Sequence, residues 1–481
     1  MTRDKIIKFA IIFVVIIVIF VGAIIVFGKK KGITSKKYNL TLNIWGVFDN
    51  SNAYSEIIDS YRDMNEHIND VRYKKFPIES YKNELLNALA AGKAPDIFMI
   101  HNSWLPDFKD KIVPAPKSLL STKDYRENFV DVVLYDAISD GDIYAIPLSV
   151  DSLALYYNKD IFNSYGIVYP PKTWQELVDI VKTITRYNEE GDEIVQSAIA
   201  MGTADNVNRS MDILLALMMQ GGSEITKKDG SVLFNESISV NGGESINPGK
   251  RALEFYTQFA KITDRNLYTW NSKQHYSVDA FAEGKTAMMI NYSWHIKTLR
   301  AKNEKLNFAV APLPQISDDN AGARKVNYAN YWMFVVAKNS SLDTGPINEK
   351  KEVRVTRNMK IHEAWQFLRT IALPVDKGVT LVDAYSGFTK TYNPSVDFTE
   401  EYLNATGKPP ARLDLIEKFK DDPWIGPFAQ GNLVARSWYR PNSEAVERII
   451  VDMIRKVNNG EVSSYDEALD LAASKIGNLI K

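Results

Sequence analysis

Residues 141–177 read GDIYAIPLSVDSLALYYNKDIFNSYGIVYPPKTWQEL, and the pattern changes twice along them. In the first part Ile143, Ala145 and Pro147 alternate with Tyr144, Ile146 and Leu148, and Pro147 bars this run from the centre of a sheet. Leu153 to Tyr157 is then a fresh, almost wholly apolar run, the signature of a buried strand. A helix is expected over 160–165, stopped by Gly166 as a left-handed cap. Pro170 and Pro171 break the chain, and Thr173 with Glu176 three positions on predicts a capping box for a helix opening at Trp174. Ser149 and Asp151 lie between the two strand-like runs. A chain that leaves one sheet and enters another there holds these polar side chains at the mouth between two lobes.

Length and charge agree with more than one core. A chain of 481 residues is too long for one ordinary domain, and two or three are expected. The formal net charge is −1, from 58 basic and 59 acidic residues, which argues against a surface built for duplex nucleic acid. The chain has no cysteine, so disulfides, thiolate catalysis and zinc–thiolate sites are excluded.

Phe9 to Gly28 is uncharged and apolar, with Arg3, Lys5 and Lys8 before it and Lys29, Lys30 and Lys31 after it. A helix of this length spans the roughly 30 Å hydrocarbon layer. No small-x-small cleavage site precedes the lysines, so an uncleaved signal anchor is expected, followed by a short linker. Beyond it, strands are expected at 40–45, 72–76 and 97–100, alternating with helices over 53–68 and 81–91. This order implies a sheet with parallel strands and helical crossovers. In such sheets ligands sit beyond the carboxyl ends of strands, which singles out the loops 47–52 and 101–104. A charged stretch over 341–358 is expected to be a surface insertion.

Catalytic motifs are few. Gly284–Lys285–Thr286 lacks the upstream glycine of a phosphate loop, the position being Asp279, and no GxSxG elbow occurs. The histidines at 67, 101, 275, 295 and 362 form no HExxH, and each reads as a packing or surface residue. No metal or cofactor is expected. Aromatic residues at the ends of strands are more informative. Phe48, Trp104, Trp294, Tyr331–Trp332 and Trp438–Tyr439 could stack on the C–H face of a sugar, while Asp, Asn and Arg side chains bind its hydroxyls. Any single tryptophan is as readily a core residue, and for Trp45, inside a strand, that is the expectation.

The segments AAGKAPDIFMI (90–100), GDIYAIPLSVDSLALYYNKDIF (141–162), PPKTWQEL (170–177), FAEGKTAMMINYSW (281–294), APLP (311–314) and the C-terminal run 444–476 together resemble the extracellular solute-binding proteins of ABC importers, in the large carbohydrate-binding family that includes maltose-binding protein. The resemblance implies an α/β fold of two lobes, periplasmic-binding-protein-like and of type II, with ligand in the cleft. It places residues 1–8 inside the cell, 9–28 in the membrane and 29–38 as linker. Residues 39–149 and 330–391 would form lobe 1, and 150–329 and 392–481 lobe 2. It implies an outward-facing domain that carries a sugar to permease partners, with no catalysis. The ligand-binding residues it implies are Asp49, Asp151, Arg209, Trp294, Trp438 and Tyr439, with Trp104 as a substitute plate, and Phe48, Ser149, Asn291, Tyr331 and Trp332 complete the expected site. Ile100 and Ser103 depart from maltose-binding protein, where a stacking Trp and an Asp stand. Rival readings are a membrane-anchored glycan hydrolase and a ligand-sensing subunit of a membrane receptor.

Overall fold

The structure is a computed structural model that describes residues 37–239, 243–317, 324–340 and 353–480. The expected membrane span at 9–28, its flanks up to 36 and most of the expected insertion, residues 341–352, lie outside the described residues. Among the described residues no helix is long and apolar enough to cross a membrane.

Two five-stranded sheets organise the chain. In the first, the strands run in the order Ile68–Phe76, Leu40–Val47, Ile97–His101, Trp332–Ala337 and Ile112–Val113. Leu40–Val47 is parallel to both neighbours, in register Val47 to Phe76 and Ile44 to Ile97. The late strand Trp332–Ala337 enters antiparallel, pairing Trp332 with His101. The parallel part is built from strand–helix–strand units, as the alternation of patterns requires. Ile97 to Ile100 is buried throughout, the mark of a strand covered on both faces.

The second sheet has the order Phe308–Pro312, Ala154–Asn158, Thr286–Asn291, Ile194–Ile199 and Arg186–Tyr187. Its central strand Thr286–Asn291 is buried at every position. The apolar run after Asp151 is thus the entry into this sheet. The helix Trp174–Ile184 opens on the expected capping box: Glu176 N–H donates to Thr173 Oγ1 at 3.2 Å, and Thr173 N–H to Glu176 Oε2 at 3.3 Å. Gly166 has φ of +69°, the left-handed conformation a helix stop favours.

Each sheet has its own core. Buried side chains from Tyr38 to Val150 join Ala329–Ala337 in one cluster, and those from Leu153 to Tyr328 form the other. The chain crosses first between Val150 and Leu153, and second between Tyr328 and Ala329. The third crossing, expected at Tyr392, comes later. Phe398, Tyr402, Leu403, Ala411, Leu415 and Ile416 all pack in the first core. The segment ending at Tyr392 is a hairpin, Val379–Val382 with Thr389–Tyr392, beside the first lobe. The helix Phe398–Thr406 then returns to that lobe and sets the Tyr402 hydroxyl on Asp49 at 2.8 Å. The chain enters the second core around Phe428, and the terminal helices Ser443–Asn459 and Tyr465–Ile480 cover it.

Candidate functional site

The crossing segments are laced together. Asn327 binds Leu153 in both directions, accepting its N–H at 3.1 Å and donating to its carbonyl at 2.8 Å. Asn432 donates to the carbonyls of Val150 and Pro410. Asn330 N–H donates to the Asp151 carbonyl at 2.9 Å. Short strands at Asn327–Tyr328 and Ala435–Arg436 run parallel beside them. A few such residues, absorbing backbone rotation between two rigid lobes, are what a hinge requires.

A cavity of about 450 Å³ opens between the lobes above this hinge. Its first-lobe wall is aromatic. The Trp332 ring meets Trp104 edge-on at 5.1 Å and His101 at 5.6 Å, and Phe48 abuts it at 5.6 Å. Phe48 is held at φ +66° and is half exposed, a conformation that costs a bulky residue about 1 kcal/mol or more. The second-lobe wall carries Trp294, 39% exposed and stacked on buried Tyr292 with 4.6 Å between ring centres. The Arg209 guanidinium lies 5.4 Å from the Trp294 ring, and Arg209 too has a positive φ, +64°. Backbone strain of this kind collects where a site must aim its side chains.

The polar groups of the cavity are held by partners from both lobes. Asp151 accepts from Ser293 N–H at 3.0 Å, Ser293 Oγ–H at 2.5 Å and Ser152 N–H at 3.0 Å. Burial nevertheless pushes its carboxyl from 3.8 to about 7, because desolvation outweighs these hydrogen bonds. His101 is pushed down to about 3 by burial and by the Arg440 charge, so its ring is neutral at pH 7. Asn330 Oδ1, 3.1 Å from Nε2, places the proton there, and Nδ1 is left to accept from Ser103 Oγ at 2.7 Å. Burial and the neighbouring Asp212 raise Glu447, while Asp212 itself accepts from the Tyr292 hydroxyl at 2.8 Å. One cation contact crosses the cleft, Lys82 to Glu444 at 3.0 Å, and within the first lobe the same Nζ lies 4.8 Å from the Trp104 ring. Among the described residues no group of three or more His, Asp or Glu could hold a metal.

Of the residues singled out from sequence, Phe48, Trp104, Ser149, Asp151, Arg209, Trp294, Tyr331 and Trp332 line this one cavity. The other four do not. Asp49 is buried and engaged by Lys408 at 2.7 Å, Tyr402 at 2.8 Å and Tyr54 at 3.2 Å. Asn291 is fully buried and accepts from Tyr292 N–H, so it shapes the turn behind Trp294. Trp438 donates its indole N–H to Tyr328 at 3.0 Å, and Tyr439 faces a neighbouring cavity. The sequence reading missed Lys408, Arg440, Asp212, Glu447 and Ser293 in the wall, and took His101 for a packing residue. His101 had a signal, since it ends the third strand beside Trp104. Lys408 and Glu447 had none.

Comparison with known proteins agrees with this architecture. Residues 50–374 match the sequence profile of the bacterial extracellular solute-binding proteins. A maltotriose-binding protein of Pyrococcus abyssi is 26% identical over 268 residues, 56% of this chain and 51% of that protein. A maltodextrin-binding protein of Bacillus subtilis is 24% identical over 269 residues, 55% of this chain and 58% of that one. The chain thus spans about half the length of the curated relatives it matches. Among solved structures, the cyclic α-maltosyl-1,6-maltose binding protein of Arthrobacter globiformis superposes with a TM-score of 0.68 at 18% identity, over 92% of this chain and 99% of that one. The sugar-binding protein of Xanthomonas citri gives 0.67 at 17% identity, over 92% and 97%. The two-lobed α/β fold is shared with both, and the chain belongs to the bacterial extracellular solute-binding protein family.

Proposed function

We propose that this protein captures a sugar or oligosaccharide between its lobes and hands it to the permease of an ABC importer. The observation that carries the proposal is the pairing of aromatic faces on opposite walls, Trp294 from one lobe and Trp332 with Phe48 and Trp104 from the other. A pyranose offers C–H faces to such plates and hydroxyls to Asp151, Arg209 and Arg440. The named relatives that bind maltotriose and maltodextrin support a carbohydrate. A solute that touches both walls favours the closed arrangement of the lobes, and a permease can read that closure. The apolar run 9–28 would hold the domain on the outer face of the membrane.

The test is calorimetry of residues 37–481 against neutral mono- and oligosaccharides, with Trp294→Ala beside the wild type. Saturable heat that Trp294→Ala weakens supports the reading. Silence across the panel, or binding that the variant leaves intact, overturns it. Fractionation of the full chain, with and without residues 1–31, tests the anchor.

A further inference from the structure

A second cavity, of about 320 Å³, lies beside the first, and the two share Ser103 and Arg440 as common wall. Both lobes build it. The first contributes Asn102 and Tyr135, and the second contributes Lys228 and Tyr439. Tyr135 is 40% exposed and Tyr439 is half-buried, so aromatic surface is available there as it is in the main cavity.

Its floor is an inter-lobe network centred on Asp136. That carboxylate accepts from Asn102 Nδ2 at 3.0 Å, from the Tyr331 hydroxyl at 2.7 Å and from Ser437 Oγ. The network uses the donor end of Asn102 and leaves Oδ1 buried without a partner. Arg440 gives one Nη–H to the Tyr328 hydroxyl, and its Nε is likewise buried without a partner. Asn102 is 4% exposed and Arg440 5%. One unmet acceptor on Asn102 and one unmet donor on Arg440, both in the lining of the second cavity, are expensive features to keep unless something uses them. The rim cations are already engaged. Lys109 binds Asp140 at 2.6 Å, and Lys228 lies 4.8 Å from the Tyr135 ring. What remains open is aromatic faces with one amide acceptor, on Asn102, and one guanidinium donor, on Arg440.

We propose that this second cavity is a further subsite of the same groove. It takes the next rings of a neutral oligosaccharide, which passes Ser103 and Arg440 and stacks on Tyr135 and Tyr439. The proposal rests on the sugar-binding reading above and adds chain length to it: the solute is an oligomer, and a single ring fills the main cavity alone.

The experiment is titration calorimetry with two ladders of one to six units, α-1,4-linked and β-1,4-linked gluco-oligosaccharides, against wild type, Tyr135→Ala and Trp294→Ala. Affinity in one ladder is expected to rise about tenfold when the chain grows long enough to pass Arg440, the scale of one stacked aromatic. In Tyr135→Ala that step shrinks to less than about threefold, while the shorter members bind as to wild type. Tyr135 is exposed enough that its loss does not open the core, and unchanged binding of short sugars confirms a folded variant. Length-independent affinity, or a step that Tyr135→Ala leaves intact, overturns the second subsite while the capture function stands. Failure of both ladders at every length overturns the subsite together with the sugar reading on which it rests.

Discussion

Asp151→Asn separates desolvation from hydrogen bonding at the hinge. Asp151 is buried, and its carboxyl sits at about 7 where an unfolded chain has about 3.8. Below 3.8 both states are protonated and the folded state carries no penalty. As pH rises towards 7 the unfolded state ionises first, so stability falls across this window and levels off above it. At 1.4 kcal/mol per tenfold, the full fall is on the order of 4 kcal/mol. The amide does not titrate, but it cannot accept from both sides. If its oxygen keeps the two donors of Ser293, its NH2 faces the Ser152 N–H, a fixed loss of about 1–3 kcal/mol. The two stability curves should therefore cross. Wild type is more stable near pH 4, and Asp151→Asn is more stable near pH 8. Urea midpoints at steps of half a pH unit measure this, and the buried Glu363, which also sits at about 7, is common to both chains and cancels. Curves separated by a constant offset would refute the argument, because the carboxyl would then have no raised value in the fold.

Other consequences are simpler. Trp294→Ala should weaken sugar binding at least about tenfold in calorimetry with little change in melting temperature, since the ring is partly exposed and rests on Tyr292 rather than in the core. Gly431→Ala should cost about 1–3 kcal/mol in urea denaturation. A Cβ there would meet Asn327 Nδ2 and Ser152 Oγ at 2.6 Å, and Asn327 is pinned by its bonds to Leu153. Lys82→Ala should change global stability by less than about 1 kcal/mol, because its pair with Glu444 is partly solvated. It should instead enlarge the radius of gyration of the sugar-free protein in X-ray scattering, the pair being a strap between lobes.

Local chemistry was the legible part of this chain. The capping box at Thr173 and Glu176 is decided within four residues, and the apolar run after Asp151 needs only its neighbours to read as a buried strand. Phe48, Trp104, Trp294 and Trp332 come from strand ends, where sheet topology gathers side chains whatever lies in between, Ser149 and Asp151 from the crossing segment, and Arg209 from the residue before the helix Ser210–Gln220. The failures share one cause, a partner remote in sequence. Asp49 looks like a free carboxylate until Lys408 arrives 359 residues later. Trp438 looks like a plate until its indole N–H finds Tyr328. The third crossing was placed too early because Phe398, Tyr402 and Leu415 return to partners in the first core that lie far back in the chain.

The position of Asp151 ties the hinge to the cavity. Its carbonyl accepts from Asn330 in the second crossing, and its carboxylate holds Ser293, the residue before Trp294. One residue of the first crossing thus fixes the second crossing and also the loop that presents the second-lobe plate. A solute resting on one lobe alone would bind both arrangements equally and shift nothing. Bridging Trp294 and Trp332 would distinguish the two, because those plates stand on different lobes. A rotation of the lobes about Asp151 would also turn the loop that aims Trp294, and under the proposed function sugar contact and lobe angle would then be coupled. Loosening Ser293 from Asp151 should for this reason weaken binding even of a sugar that never touches the carboxylate.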